Sequence, residues 1–312
     1  MKNQEYHFAG GHSAVKGCKW LHDALVKGKK CYKNAFYGIE SHRCIQCTPV
    51  ATYCNMGCIF CWRIMPDEKE NLPAKWDEAA DVVEWIIAEH LRIVSGYGGN
   101  KRVSKGMWEE AKNPKHAAIS LTGEVMFYPH MSELIEEFWR RGMTTFLVTN
   151  GTLPKQIAEL ERLPTQFYVS LNAPNEEVYR RICAPKYQRA WVNFNETLEI
   201  LNSMPTRRVL RMTLVKGHNM LDAAGYAKLI EKALPEYVEV KSFVYVGGAR
   251  DPRRGLSLNN MPTHDEIRAF AKELAEVCGY IVSAEYEPSR VVLLCRDKKS
   301  DRGRILNIRA DS

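Results

Sequence analysis

Between residues 116 and 248 short apolar runs alternate with amphipathic stretches, and few architectures accept such a pattern. "HAAISLTG" (116–123), "TTFLVTNG" (144–151), "TQFYVSLNAP" (165–174), "RRVLRMTLVKG" (207–217) and "YVEVKSFVYVGG" (237–248) read as strands. "HMSELIEEFWRRG", "PKQIAELERL", "EEVYRRIC", "WVNFNETLEILNSM" and "LDAAGYAKLIEKAL" carry helical spacing between and after them. A longer amphipathic helix, "KWDEAADVVEWIIAEHLRIVSG" (75–96), precedes the series, and "TPVAT" (48–52) before it makes a sixth strand. Strands separated by helices imply right-handed βαβ units on a parallel sheet. Six or so such units form a closed or partly open barrel of the α/β class, in which function gathers on the loops after the strands. The tail adds one helix, "MPTHDEIRAFAKELAEVCG", and a strand-like "SRVVLLC" (289–295), with a weak junction at "NNMPTHDE". Three segments are expected: a basic, cysteine-rich 1–47, the barrel at 48–250 and a small C-terminal extension at 251–312.

The loop after "TPVAT" reads "YCNMGCIFCWR" and places Cys54, Cys58 and Cys61 at gaps of three and two residues. No run reaches the eighteen or so apolar residues of a membrane helix, and "MKNQEYHFAGG" lacks the apolar core of a secretory signal. A cytoplasmic location is expected, where thiols stay reduced, so ten cysteines point to metal or redox chemistry before disulfides. Seven of the ten lie in the first fifth of the chain. Thiolates bind zinc or iron–sulfur clusters; a four-thiolate zinc site needs one more ligand, whereas three on one loop hold three irons of a [4Fe–4S] cube and leave the fourth open.

This Cys-x3-Cys-x2-Cys stretch, with Phe60 before the last cysteine, resembles the radical S-adenosylmethionine (radical SAM) superfamily. The resemblance implies a partial (β/α)6 radical SAM barrel whose open iron chelates S-adenosyl-L-methionine and yields a 5′-deoxyadenosyl radical. It also implies that Gly123 and Glu124, in "TGEV" where the superfamily has Gly-Gly-Glu-Pro, present backbone groups to the methionyl amine. Thr122 and Val125 depart from that pattern. Ser170 and Asn172 stand where ribose hydroxyls are held, and Asn150 is a further position at the barrel mouth. Read alone, each of these residues serves equally well as a strand-end cap.

Cys18, Cys31 and Cys44 follow one another at C-x12-C-x12-C, and with Cys47 they would also make a four-thiolate zinc set. The doubled spacing ahead of the triplet, with "CYKNAFYGIESHRCIQCTPV" (31–50) and "CIFCWR" (58–63), resembles the tRNA 4-demethylwyosine synthase family. That family acts on N1-methylguanosine 37 of phenylalanine tRNA, adding two carbons of pyruvate to close a third ring. The resemblance implies a second [4Fe–4S] cluster on Cys18, Cys31 and Cys44, with Cys47 a buried thiol near the site. It also implies a Schiff base on Lys33, which read alone is one more cation in a basic segment. Residues 1–50 carry eight Lys/Arg against three acids, and "GGARDPRRG" (247–255) adds a second basic knot. Lys16, Lys19, Lys27, Lys29, Lys30, Arg250, Arg253 and Arg254 are candidate contacts to the anticodon stem-loop. Tyr32, Phe36, Tyr37 or Trp62 could stack on the splayed base, and Lys241, charged within an apolar strand, is expected to face the barrel interior. The chain resembles the short archaeal form without a flavodoxin domain, which implies a separate flavodoxin- or ferredoxin-like reductant; a monomer that does not enter membranes is expected. Two rivals stay open: another radical SAM enzyme, such as an activase or other RNA modifier, and a zinc-stabilised RNA-binding protein.

Overall fold

The computed structural model describes residues 5–63 and 72–306. Six parallel strands form its centre: β3 (Cys44–Thr48), β4 (His116–Ile119), β5 (Thr144–Thr149), β6 (Gln166–Ser170), β7 (Arg207–Leu214) and β8 (Tyr237–Ser242). Each pairs in parallel with the next. Antiparallel pairs extend both edges. On one side stand β1 (His7–Ala9) and β2 (Ser13–Lys16), on the other β9 (Ile281–Tyr286) and β10 (Val291–Cys295). The order β1-β2-β3-β4-β5-β6-β7-β8-β10-β9 leaves the barrel partial, as the radical SAM resemblance implies.

The outer face is covered by helices whose apolar residues recur at helical spacing. The helices α3 (Ala79–Ser95), α5 (Met131–Arg140), α7 (Glu176–Cys183), α8 (Ala190–Ser203), α9 (Ala223–Ala233) and α10 (His264–Cys278) all contribute to one core. In α5, Met131, Leu134, Ile135 and Phe138 form the buried stripe. A capping box between Thr263 and Glu266 starts α10, one residue beyond Pro262. The short helices are α1 (Lys19–Lys27), α2 (Tyr32–Tyr37), α4 (Lys105–Ala111), α6 (Pro154–Ala158) and α11 (Lys298–Arg302).

The inner face has its own, separate core. Phe36 and Tyr37 of α2 are fully buried against Phe146, Tyr168, Val209 and Tyr237, the inward residues of β5 to β8, and against Val291 and Leu293 of β10. Each such aromatic contributes about 1.5–3 kcal/mol by leaving water. The C-terminal tail secures α2: Arg304 donates to the carbonyls of Ala35 and Phe36, and Leu306 N–H donates to Tyr37. The segment before the barrel is thus folded into it.

The first parallel strand is Cys44–Thr48 rather than residues 48–52. Pro49 has no N–H for the ladder, so the chain leaves the sheet there, and Ala51 N–H turns to the carbonyl of His12. The boundary expected at residue 47 therefore falls inside β3. Alternation along that strand turns Cys44 toward the inner core and Cys47 toward the helices, where it is fully buried.

Candidate active site

The loop carrying Cys54, Cys58 and Cys61 follows β3 at the C-terminal rim and is held mainly through its backbone. Gly57 N–H donates to the carbonyls of Cys183 and Ala184, and Ile59 N–H to Ile182, all at the end of α7. Lys186 N–H donates to Asn55, and Gly248 N–H to Trp62 at 2.7 Å. Arg254 donates to the carbonyls of Cys58 and Cys61 at 3.3 and 2.5 Å. Two close approaches explain glycines. A Cβ on Gly123, at φ +72°, would stand 1.9 Å from the carbonyl oxygen of Val50, and one on Gly248 would stand 2.3 Å from that of Arg63.

Beside the thiols lies a cavity of about 260 Å3, lined by Cys54, Cys58, Cys61, Gly123, Glu124, Asn150, Ser170 and Asn172 among others. The Glu124 carboxylate is buried but well supplied: Thr149 Oγ1 donates at 2.5 Å, Asn150 N–H at 2.7 Å and Met126 N–H at 3.2 Å. Burial pushes its pKa up, and these donors oppose the rise. Asn150 Nδ2 reaches Asn55 Oδ1 at 2.8 Å, tying the end of β5 to the cysteine loop. Asn172 Oδ1 accepts from Thr213 N–H, so that side chain braces β7 as well as lining the cavity.

A second cavity of about 420 Å3 shares Phe60, Cys61, Ser120, Val148 and Ser170 with the first and runs to Trp62, Arg211, Thr213 and Lys241. Deeper in the barrel sits Lys33, its Nζ 4.9 Å from the ring centres of both Phe146 and Tyr168. Burial draws its pKa down; the charges of Glu239, Cys44 and Cys31 oppose that and Arg211 adds to it. Cys18, Cys31 and Cys44 feel one another's charge around it. Burial pushes the Cys18 thiol up to about 11 and those of Cys44 and Cys54 higher still, so a cation is needed to hold them as thiolates.

Neither cysteine triplet has the close spacing of a zinc site, whereas the wider cubane of an iron–sulfur cluster does not require it. Thiolates 2.3 Å from a tetrahedral zinc stand about 3.8 Å apart. Among the described residues, the one group of three or more Cys, His, Asp or Glu ligand atoms lying within 4.8 Å of one another is Glu40, His42 and Glu110. Neither cysteine triplet is that tight. Cys47 also stands on the face of β3 opposite to Cys44, its close partner in the zinc set.

The radical SAM superfamily description matches residues 48–230, and that for wyosine base formation matches residues 232–296. The S-adenosyl-L-methionine-dependent tRNA 4-demethylwyosine synthase of Pyrococcus horikoshii is 48% identical over 97% of this chain and 89% of its own length. The chain belongs to the tRNA 4-demethylwyosine synthase family. A solved structure of TYW1 with a lysine–pyruvate adduct bound superposes at TM-score 0.87 with 41% identity, covering 99% of this chain and 96% of that one. An archaeal TYW1 crystal structure superposes at 0.79 with 37% identity, covering 98% and 96%. Membership in this synthase family brings S-adenosyl-L-methionine and a [4Fe–4S] cluster, and no helix among the described residues is long and apolar enough to cross a membrane.

Within this synthase fold, several side chains stand differently from their sequence-based expectations. Phe36 and Tyr37 are fully buried and cannot stack on an incoming base; Tyr32 is 6% exposed and donates its hydroxyl to Glu239 at 3.0 Å. Trp62 is half-buried at the second cavity, with Lys16 5.9 Å from its ring. Lys19, Lys29, Lys30 and Arg250 are exposed, Lys27 pairs with Asp23 and Arg253 with Asp251. Arg254 is turned inward because the cysteine loop offers it two carbonyls. Lys241 faces the cavity as expected. Sequence reasoning missed Cys183, which together with burial pushes the Cys58 thiol up, and the inward pair Arg211 and Glu239. For the pair, charged residues alternating with apolar ones in "VLRMTL" and "VEVKS" were the available signal.

Proposed function

We propose that this chain builds the tricyclic 4-demethylwyosine base, joining N1-methylguanosine 37 of phenylalanine tRNA to two carbons of pyruvate. The observation that carries the reading is Lys33, an amine enclosed by Phe146 and Tyr168 beside the Cys31 and Cys44 thiols. A relative of 41% identity holds a lysine–pyruvate adduct.

Cys54, Cys58 and Cys61 supply three thiolates to a [4Fe–4S] cluster. When bound, that cluster and S-adenosyl-L-methionine supply the one-electron chemistry that removes a hydrogen atom from the unactivated N1-methyl group. Gly123 and the braced backbone at Glu124 meet the methionyl amine, while Asn150, Ser170 and Asn172 present polar groups to the same ligand; their place around one cavity supports this. Cys18, Cys31 and Cys44 hold a second [4Fe–4S] cluster. The Lys33 amine attacks the ketone carbon of pyruvate and water leaves, forming an imine that activates the ketoacid for ring closure. The rings around Nζ exclude bulk water that would reverse the step.

Trp62 and the exposed cations Lys19, Lys29, Lys30, Arg250 and Arg253 face the anticodon stem-loop, while Lys241 serves the ketoacid side. Residues 1–47 act as the second-cluster segment, 48–250 as the radical SAM barrel and 251–312 as the extension that closes it. The protein works in the cytoplasm as a monomer, with electrons from a separate flavodoxin- or ferredoxin-like carrier. The test incubates reduced protein with S-adenosyl-L-methionine, pyruvate and transcript tRNA bearing N1-methylguanosine, then weighs the digested nucleosides. A tricyclic nucleoside labelled by pyruvate carbons supports the reading; cleavage of the cosubstrate with N1-methylguanosine unchanged rejects it.

A further inference from the structure

Buried charges ordinarily occur in compensating sets, because removing an ion from water is costly without a partner. The barrel interior breaks that balance. Arg211 and Lys241 stand 5.9 and 5.4 Å from the ring centre of Tyr32, and Lys33 lies over Phe146 and Tyr168 of the same inner core. Glu239 is the carboxylate that faces them, and it is fully buried. Both of its oxygens are already engaged, Oε2 by Tyr32 at 3.0 Å and Oε1 by Tyr37 at 2.9 Å. Arg211 Nε approaches Oε2 no closer than 3.7 Å. Among the described residues, no hydrogen bond satisfies the terminal amines of Arg211. Lys241 donates to one acceptor, the carbonyl of Ser289, at 2.6 Å. Both side chains line the second cavity. Among the described residues, the Arg211 terminal amines are therefore left without a hydrogen-bonded acceptor at a cavity wall.

We propose that Arg211 and Lys241 form the receptor for the carboxylate of the ketoacid that condenses with Lys33. This rests on the reading of Lys33 as the imine-forming amine and names what recognises the other end of its substrate. In a 2-ketoacid the carboxyl carbon is bonded directly to the ketone carbon. Once that ketone is joined to Nζ, the carboxylate must lie beside Lys33, within reach of the groups that share its surroundings. Lys33 lies over Tyr168, which packs in one core with the Tyr32 that Arg211 and Lys241 flank, and β6, which carries Tyr168, pairs directly with β7, which carries Arg211. The carboxylate of S-adenosyl-L-methionine is the less suited anion. Of its proposed contacts, Gly123, Glu124 and Asn150 line only the first cavity and Ser170 and Asn172 line both, whereas Arg211 and Lys241 line only the second. Planar guanidinium geometry also suits a carboxylate in two-pronged contact. Glu239 then has a defined part: it holds the Tyr32–Tyr37 turn against β8 and keeps Arg211 oriented, so that the incoming anion completes the charge balance.

The experiment uses the full, anaerobically reconstituted protein and traps the Lys33 adduct with cyanoborohydride over a pyruvate series, reading the mass of the Lys33 peptide. Wild type is compared with Arg211→Gln, Arg211→Lys and Lys241→Gln; iron content and melting temperature verify folding. Methyl pyruvate, which lacks the negative charge, serves as second probe. Half-saturating pyruvate is expected to rise about tenfold or more in Arg211→Gln, less in Lys241→Gln, with partial recovery in Arg211→Lys. The wild-type preference for pyruvate over its methyl ester should collapse in Arg211→Gln, with binding of S-adenosyl-L-methionine unchanged. Unaltered pyruvate dependence in variants that still form adduct overturns the receptor and leaves the Lys33 reading standing. Weakened cosubstrate binding instead also overturns it, assigning the pair to that carboxylate. Absence of adduct in wild type removes the Lys33 reading first and the receptor with it.

Discussion

Lys33 does its proposed work as an amine, not as a charge, and substitution separates the two. Lys33→Ala is expected to retain full iron content and to cleave S-adenosyl-L-methionine, yet to give no tricyclic nucleoside; undiminished product would remove Lys33 from the mechanism. Elsewhere a single residue governs stability. His90 is 1% exposed, and burial lowers its pKa to about 4. An unfolded imidazole titrates near 6.5, so between those values the unfolded chain takes up a proton that the folded chain refuses. Stability from this site is complete above about pH 6.5 and falls as pH drops, by at most about 1.4 kcal/mol per pH unit. His90→Gln should flatten that part of the denaturant-midpoint profile between about pH 7.5 and about pH 5.5, and an unchanged slope would contradict it. At this scale the six spaced cysteines were legible in the sequence because spacing is one-dimensional. Lys33 was legible only through the family resemblance, since by itself a lysine in a basic segment looks solvated until its burial is known. Arg254 misled for the same reason: its positive charge suggested phosphate, but its partners are loop carbonyls from nearly two hundred residues away in the chain.

Among the elements, α2 shows most clearly what the one-dimensional pattern conceals. Six residues, "YKNAFY", carry too little periodicity to declare a helix, and nothing local says that it fills a barrel. Its stability comes from packing on the inner face and from hydrogen bonds with the tail, contacts across more than a hundred residues. Phe36→Ala, at a fully buried position, should cost about 3–5 kcal/mol and lower the melting temperature. Because α2 carries Lys33, the same change should lower adduct yield more than cosubstrate cleavage; equal losses would show that α2 does not position the amine. Arg254→Ala tests the cysteine loop in a complementary way. It removes the donor shared by the carbonyls of Cys58 and Cys61 and should speed loss of the loop's cluster on air exposure, with little change in melting temperature. The opposite ranking would assign Arg254 to general stability. The displaced start of β3 has a simple cause: "TPVAT" is β-prone, but the proline inside it ends the ladder before the cysteine loop begins.

Across the molecule, the alternation of strands and helices fixed the six parallel strands almost without error. Parallel strands need a crossover between them, and the crossover helices announce themselves by their period. The antiparallel edges were less visible, because β1 and β2 are three and four residues long and β9 is only half-buried. Their consequence is large, since they join residues 7–16 and 281–295 to the barrel's own sheet, beside the interior face toward which Cys44 turns. The central claim concerns those thiols: two triplets, each holding its own [4Fe–4S] cluster. Iron analysis after anoxic reconstitution tests it most directly, run on wild type and on Cys31→Ala/Cys44→Ala. The account predicts roughly eight irons per chain in wild type and about four in the double variant, which should still cleave S-adenosyl-L-methionine. About four irons in both proteins, or zinc in place of half the iron, would contradict it.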